Sequence, residues 1–308
     1  LRARRGMPTY ELSGVTVEFP FDAYECQTLY MQRVIQALQE CSNALLESPT
    51  GTGKTLCLLC AALGWRQALL DGRVRPMYSL VESRGDAQPV ETVVVAPPLR
   101  SFVPRIVYAS RTHSQLAQVV SELKRTAYRP KSVVFGSREQ SCVHPDVSEL
   151  RGLALTHACQ SLTKANGCKF HANLMRQKAS PAGVPVHPEV LDIEEFSSLC
   201  RSKELCPFYY ARELQAEAEI LFVPYNYLID AKSRNALGLS GGRDILIFDE
   251  AHNVQSVCTE AVSLEISTTG LAQAIGEVDR CVRVATSSEG LDESARDNVA
   301  VLGMSGRG

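Results

Sequence analysis

The stretch Ser48-Pro49-Thr50-Gly51-Thr52-Gly53-Lys54-Thr55 decides the fold of this chain. It follows a short apolar run, Asn43–Glu47, and leads into the apolar stretch Leu56–Trp65. A strand, a glycine-rich turn and a helix, in that order, form the setting that a phosphate-binding loop requires. Gly51 and Gly53 let the backbone curl until several N–H groups converge on one phosphate. The helix that follows offers its positive N-terminus to the same anion. Lys54 is then placed to reach the β- and γ-phosphates, and the Thr55 hydroxyl to hold Mg²⁺. A glycine-rich turn that merely precedes a helix explains less of the pattern. The expected ligand is therefore ATP with Mg²⁺, bound by Ser48, Pro49, Thr50, Gly51, Thr52, Gly53, Lys54 and Thr55.

A second acidic element belongs with this loop. Asp244-Ile-Leu-Ile-Phe-Asp-Glu-Ala-His252 reads as a buried strand that ends in two carboxylates. Alone, such a pair is usually a solvated turn. In a chain that also holds the phosphate loop, the strand Asp244–Phe248 is expected beside the loop's own strand. Asp249 then stands near the Mg²⁺, and Glu250 polarises the attacking water. Phosphoryl transfer asks the protein for charge neutralisation and an aligned water, and these two groups supply both. Asp249, Glu250, Ala251 and His252 make up the acidic motif, and Lys54, Asp249 and Glu250 are the expected catalytic residues. Upstream, Gln27 lies on a helix spanning Tyr24–Glu40, with Leu29, Val34, Ile35 and Leu38 on one side. Its amide can read an adenine edge, although an exposed helix glutamine reads equally well.

Outward from these motifs, short apolar strands alternate with helices. Arg105–Ser110, Lys131–Phe135 and Glu219–Val223 read as strands, and Lys54–Leu70, Ser114–Arg125 and Tyr225–Lys232 as helices. The expected fold class is α/β, a parallel sheet with helices on both faces. An inserted, mostly helical module interrupts it at residues 136–208. The remaining divisions are an extension at 1–13, a first α/β part at 14–135, a second at 209–262 and a polar helical region at 263–308. Within 71–104 five prolines mark a surface insertion, with one strand-like island at Thr92–Ala96. The 308 residues are 45% apolar and 21% charged with a net charge of −2, which excludes wholesale disorder, a fibre and a globally basic nucleic-acid binder. The longest apolar stretch is too short to cross a bilayer, so no membrane role is expected. Because the sequence opens on Leu1 without a signal-like segment, it reads as a piece of a longer protein.

A local basic excess is still present. Arg100, Arg105, Arg111, Lys124, Arg125, Arg129, Lys131 and Arg138 are interrupted by a single acid, Glu122. Such a run is a candidate phosphate-binding face. Ser110, Arg111, Thr112 and His113, between a strand and a helix, are the expected contacts to a nucleic-acid backbone. Without the nucleotide motifs, an ordinary solvated face with a helix cap would be preferred.

Eleven cysteines is an odd count with no secretory signal, so a disulfide framework is not expected. Cys57 and Cys60 lie in an apolar helix and read as core residues. Cys142, Cys159, Cys168 and Cys206 fall inside the inserted module. Four thiolates can hold one Zn²⁺ or a cubane iron–sulfur cluster, and these wide spacings do not choose between them. His144, His157 and His171 keep zinc open. Cys200 rivals Cys206 as the fourth ligand, with Cys206 favoured for the Pro-aromatic run after it.

Taken together, Ser48–Thr55, Tyr108–Gln115, the cysteine module and Asp249–His252 resemble the XPD-like iron–sulfur DNA helicases of superfamily 2. Ser48 in place of the usual first glycine agrees with that family. Leu46–Cys60, Ala109–Gln115, Gly136–Gln140 and Pro224–Arg234 look most like its members that act at telomeres. The resemblance covers residues 14 to 262, apart from the Pro-rich insertion. It implies a RecA-like first motor lobe, a [4Fe–4S] domain held by Cys142, Cys159, Cys168 and Cys206, and an arch domain that begins after residue 263. It also implies ATP-driven 5′ to 3′ movement on single-stranded DNA, action on branched DNA in repair, recombination and telomere maintenance, and a nuclear location. The family's second lobe, with the arginines it sets against the γ-phosphate, lies outside these 308 residues. The chain alone is therefore expected to bind nucleotide weakly and hydrolyse it poorly. Two other readings are a DNA- and nucleotide-binding module without turnover, and a P-loop ATPase with a structural zinc.

Overall fold

Two unbroken apolar runs, Ile106–Ala109 and Ile220–Val223, are buried on every side. In a strand, alternate side chains point to opposite faces, so such runs must be covered twice. The computed structural model describes residues 7–74, 103–181, 183–184, 189–239, 244–263 and 267–287. The strand-like island at 92–96 lies outside them. The chain divides into two compact units, residues 1–257 and 258–308.

The first unit opens with a hairpin, β1 (Thr9–Leu12) and β2 (Val15–Glu18), which spans the expected division at 13/14. Ser13 and Gly14 both have positive φ (49° and 78°), the two-residue turn whose twist suits a hairpin. Helix α1 (Glu25–Gln39) comes next, then α2 (Lys54–Leu70). In α1 the buried residues are Gln27, Met31, Val34 and Ile35, a regular helical stripe. Leu29, expected on that side, is 53% exposed, because Met31 holds the inward phase.

The central sheet is parallel with the order β4-β5-β3-β6. Its members are β3 (Ile106–Ser110), β4 (Ser132–Val134), β5 (Ile220–Pro224) and β6 (Ile245–Phe248). Ile106 pairs with Ile220 on one side and Ile245 on the other, so the strands end together. On one face Ile106, Tyr108, Ile220 and Phe222 pack against α2 and α3 (His113–Arg125) through Leu59, Leu63, Leu116 and Val120. The opposite side of α2, with Cys57, Cys60 and Trp65, buries against Val15, Val17, Met31 and Ile35. A helix wedged between two layers has to be apolar all round, and α2 is.

The second face is covered by the inserted segment itself. Val107, Ala109, Leu221 and Val223 meet Leu174 of α6 (Lys169–Ala179), Phe196 and Cys200 of α7 (Ile193–Ser202), and Tyr210 of α8 (Pro207–Leu214). The module that also includes α4 (Arg138–Ser141) and α5 (Gly152–Lys164) is thus part of the layered core. Helices α9 (Asn226–Ile229) and α10 (Ala231–Ala236) lead back to β6, and α11 (Val254–Val262) comes after it. In the second unit α12 (Thr268–Ser287) carries Leu271, Ile275 and Val278 at helical spacing, all exposed. Among the described residues no helix is long and apolar enough to cross a membrane.

One expected strand is missing. Asn43–Glu47 forms no ladder, and Leu45 is 92% exposed. The run contains no β-branched or aromatic residue, the types that favour a pleated, half-buried surface.

Gly64 marks the tightest crossing of α2. A Cβ there would lie 2.9 Å from the Tyr128 hydroxyl and 3.3 Å from both Thr16 O and Val17 Cγ2. The tyrosine oxygen is itself held by the Glu18 N–H at 3.0 Å. Ala in a helix interior normally gains about 1 kcal/mol over Gly. Here overpacking reverses the sign, and Gly64→Ala is expected to destabilise the fold by about 1–3 kcal/mol in a urea titration.

Candidate nucleotide site and cysteine-lined cavity

The turn before α2 owes its shape to two glycines. Gly51 and Gly53 sit at φ 80° and 70°, and Gly53 caps α2. Lys54 Nζ folds back over the loop and donates to Ser48 O (3.0 Å) and Pro49 O (2.9 Å). Thr52 Oγ1 donates to Pro49 O at 2.9 Å and lies 2.7 Å from Ser48 Oγ. Gln27 is buried beneath the loop. Its Nε2 donates to Thr52 O (2.9 Å), and its Oε1 accepts from the Tyr24 N–H (2.9 Å). Both ends are paired, which makes the burial of this amide tolerable. The structure thus places Gln27 against the phosphate loop with its amide held by backbone.

The carboxylates stand at the C-terminal ends of the parallel strands, where α/β sheets bind ligands. The Asp249 N–H continues the ladder by donating to Ala109 O at 3.0 Å. Asp249 Oδ2 accepts from the Tyr108 hydroxyl (2.8 Å) and from Thr55 Oγ1 (3.4 Å). The Tyr225 hydroxyl donates to the Asp249 carbonyl. Burial, then the charge of Asp249, pushes the Tyr108 hydroxyl well above its ordinary range, so it remains a donor. Glu250 adopts φ 56°, and its Oε2 accepts from Gln115 Nε2 at 2.5 Å. Ala251 and His252 form a 3₁₀ turn with Asn253, whose Nδ2 lies 3.0 Å from His252 Nε2.

The expected nucleic-acid contacts divide. Arg111 and Thr112 are exposed, Arg111 donating to Asn253 Oδ1 (3.2 Å) and Thr112 capping α3. Ser110 is buried, with its hydroxyl donating to Gln115 Oε1 at 2.9 Å, so it faces the interior instead of a ligand. Burial lowers the His113 pKa and leaves its Nδ1 without a partner. The expected basic face is largely neutralised. Arg105 pairs with Asp244, Lys124 with Glu195, Arg125 with Glu122 and Lys131 with Glu217. Arg129 holds the carbonyls of Lys124, Thr126 and Tyr128. Three of those four acids are distant in sequence, so counting within the run missed them. Arg100 lies outside the described residues.

In the inserted module, Cys142 ends α4, Cys159 lies within α5, and Cys168 and Cys206 immediately precede α6 and α8. All four line one cavity, together with Val143, Leu162 and Phe170. Burial pushes the Cys206 thiol up to about 12, with the other three cysteines adding to the shift. The Tyr209 N–H opposes it, as the His144 N–H does at Cys142. Arg138 stacks over the Phe208 ring (4.1 Å) and reaches Cys159. Cys200 is fully buried in the core beneath the sheet and does not line the cavity. His144 borders it, but its Nδ1 accepts from the Asp146 and Val147 N–H groups (both 3.3 Å). His157 is exposed, and His171 packs edge-on against Tyr209. Among the described residues, no three His, Cys, Asp or Glu side chains gather tightly enough to hold a single metal ion.

Tyr108, Gln115 and Tyr225 were not singled out as site residues from the sequence. Each lay inside a motif noted there, but nothing in a lone hydroxyl or amide announces which distant carboxylate it will meet.

The chain is 42% identical over 318 residues to the regulator of telomere elongation helicase 1 homolog of Oryza sativa subsp. japonica, covering 96% of this chain and 31% of that protein. It is 41% identical over 298 residues to the regulator of telomere elongation helicase 1 of Homo sapiens, covering 92% and 24%. The chain thus spans less than a third of the length of these relatives. A solved XPD helicase superposes with a TM-score of 0.50 over 92% of this chain and 47% of that one, at 14% identity, which speaks for the fold alone. The DEAD_2 family matches residues 108–271, from the buried Tyr108 through the acidic motif and beyond it. With just over half of its length matched in this way, the chain belongs to the DEAD_2 family.

Proposed function

We propose that the whole protein is an ATP-dependent DNA helicase and that this chain carries its first motor lobe. The observation that carries the reading is the meeting of Thr55 and Asp249 at 3.4 Å, 194 residues apart in sequence. Those two oxygens would hold Mg²⁺ between them. Lys54, which in this structure rests on loop carbonyls, would swing to the β- and γ-phosphates. Glu250 would take and orient the water, and Gln27, its amide already held by the Thr52 carbonyl and the Tyr24 N–H, would support the loop from beneath. Lys54 would help neutralise the charge that develops on the phosphate oxygens, where most of the rate comes from, and a bound Mg²⁺ would supply the rest of that neutralisation. Arg111 and Thr112, the exposed pair of the β3–α3 turn, would meet the DNA backbone. The divisions 14–135 and 209–262 as motor lobe, 136–208 as cluster domain and 263–308 as the start of an arch belong to the same proposal. So do 5′ to 3′ movement on single-stranded DNA, branched substrates, roles in repair, recombination and telomere maintenance, and a nuclear location; the names of the relatives speak of telomere elongation and a helicase.

The cysteine cavity fits a [4Fe–4S] cluster. Cys142, Cys159, Cys168 and Cys206 border a space, which suits four irons better than one zinc. Cys168 and Cys206 sit at helix N-termini, whose dipoles favour anionic sulfur. Two backbone N–H groups and Arg138 add to that bias. Held there, a cluster would tie α4, α5, α6 and α8 together.

Two measurements test these assignments. Lys54→Ala in the full-length protein is expected to weaken ATP binding by at least about tenfold and abolish unwinding, while DNA binding changes little. Unwinding at the wild-type rate would remove Lys54 from the phosphate site. For the cluster, Cys206→Ala should strip iron and sulfide from anaerobically purified protein and bleach its visible absorption. Cys200→Ala should keep both and cost only about 1 kcal/mol of stability. Zinc bound in place of iron would refute the cluster.

A further inference from the structure

The turn between β3 and α3 is wired to the carboxylates after β6 by one two-ended side chain. Gln115 donates through Nε2 to Glu250 Oε2 at 2.5 Å. Its Oε1 accepts from the Thr112 N–H (3.1 Å) and from Ser110 Oγ (2.9 Å). The acceptor end therefore belongs to the turn, and the donor end to the acidic motif. A second bridge runs parallel to it. Arg111 Nη1 donates to Asn253 Oδ1 (3.2 Å), and the Asn253 N–H donates to Glu250 O (3.0 Å). Glu250 sits in the left-handed region at φ 56°, a strained place for a residue with a Cβ. Such a conformation persists only where its surroundings impose it. A carboxylate with Oε2 fixed by an amide keeps Oε1 for a further partner, which in the proposed reaction is the water.

We propose that Gln115 is the positioning residue through which the β3–α3 turn orients Glu250, so that nucleic acid touching Arg111 and Thr112 controls ATP hydrolysis. This deepens the helicase reading and rests on it. The two exposed residues of the turn, Arg111 and Thr112, are each one hydrogen bond from a group that holds Glu250. A displacement of the turn by a bound strand must then move the carboxylate or break those bonds. Orientation is where such a shift acts, since a misplacement of about 1 Å can lower a rate by about 10²-fold. Nucleotide affinity, set by the loop around Lys54, is a separate matter.

The test is steady-state ATP hydrolysis by the full-length protein, with and without saturating single-stranded DNA, for wild type, Gln115→Ala and Gln115→Glu. Gln115→Glu keeps an acceptor for the Thr112 N–H and so preserves the helix cap, but it has no N–H to offer Glu250. Both variants are expected to lose about 10- to 100-fold in DNA-stimulated kcat, with KM for ATP and DNA affinity within about threefold of wild type. The ratio of stimulated to basal rate should fall towards one, in Gln115→Glu through repulsion between the new carboxylate and Glu250 as well as loss of the donor. Wild-type kcat and stimulation in Gln115→Glu would overturn the proposal, as would rate losses that only track losses of melting temperature. A wild-type protein with no DNA-stimulated hydrolysis would instead bring down the helicase reading, and the inference with it.

Discussion

In a sheet whose strands all run one way, every strand presents its C-terminal end at the same edge, and the loops that leave that edge converge. The contact of Thr55 with Asp249 is made at this edge, and the rest of the site is arranged round it. Tyr108 reaches the same Asp249 oxygen from β3, and Tyr225 reaches its carbonyl from the end of β5. Three strand ends and the start of α2 therefore hold one aspartate. Burial holds the Tyr108 hydroxyl in its protonated form, so it donates to that oxygen. The aspartate's position is thus a property of the sheet, set before any ligand arrives.

The same geometry explains why the inserted module does not disturb the sheet. An insertion could have hung from the sheet as a separate lobe. Instead α6, α7 and α8 lay Leu174, Phe196 and Tyr210 on the face of the sheet that α2 and α3 leave bare. The sheet thus supports α2 and the glycine turn before it on one side and the helices of the cysteine-lined cavity on the other. Movement of α8 would be felt at β4 and β5 through shared packing.

Much of this was legible in the residues. The glycine turn at Gly51 and Gly53, the apolar α2 after it and the strand before Asp249 are local patterns with a local cause, and they appear where the sequence puts them, although the strand expected before the turn does not form. The hairpin at Thr9–Glu18 was also written there, in a Ser13-Gly14 pair between alternating apolar residues, but a short two-stranded element is a weak signal beside a motif. What could not be read was pairing at a distance. The basic run beyond Arg105 looked free because its acids, Asp244, Glu195 and Glu217, come from elements more than 70 residues away. Gln115 and Tyr108 were in view, yet their partners exist only once β3 and β6 lie side by side.

The cysteines show the same limit from the other direction. Spacings of 17, 9 and 38 residues between Cys142, Cys159, Cys168 and Cys206 carry no ligand signature. Wide spacing arises when each thiol is delivered by a different helix. Helix ends deliver three of the four, since Cys142 closes α4 while Cys168 and Cys206 open α6 and α8, and Cys159 comes from within α5. A helix terminus fixes the direction of its flanking residue more firmly than a loop does, and an N-terminus also favours a negative sulfur. Cys200 has the same chemistry, but inside α7 it faces the sheet and packs as a hydrophobe. Cys159 also lies inside a helix yet lines the cavity, so the surface that a helix presents, more than position in the sequence, separates a sulfur that lines the cavity from one that fills the core.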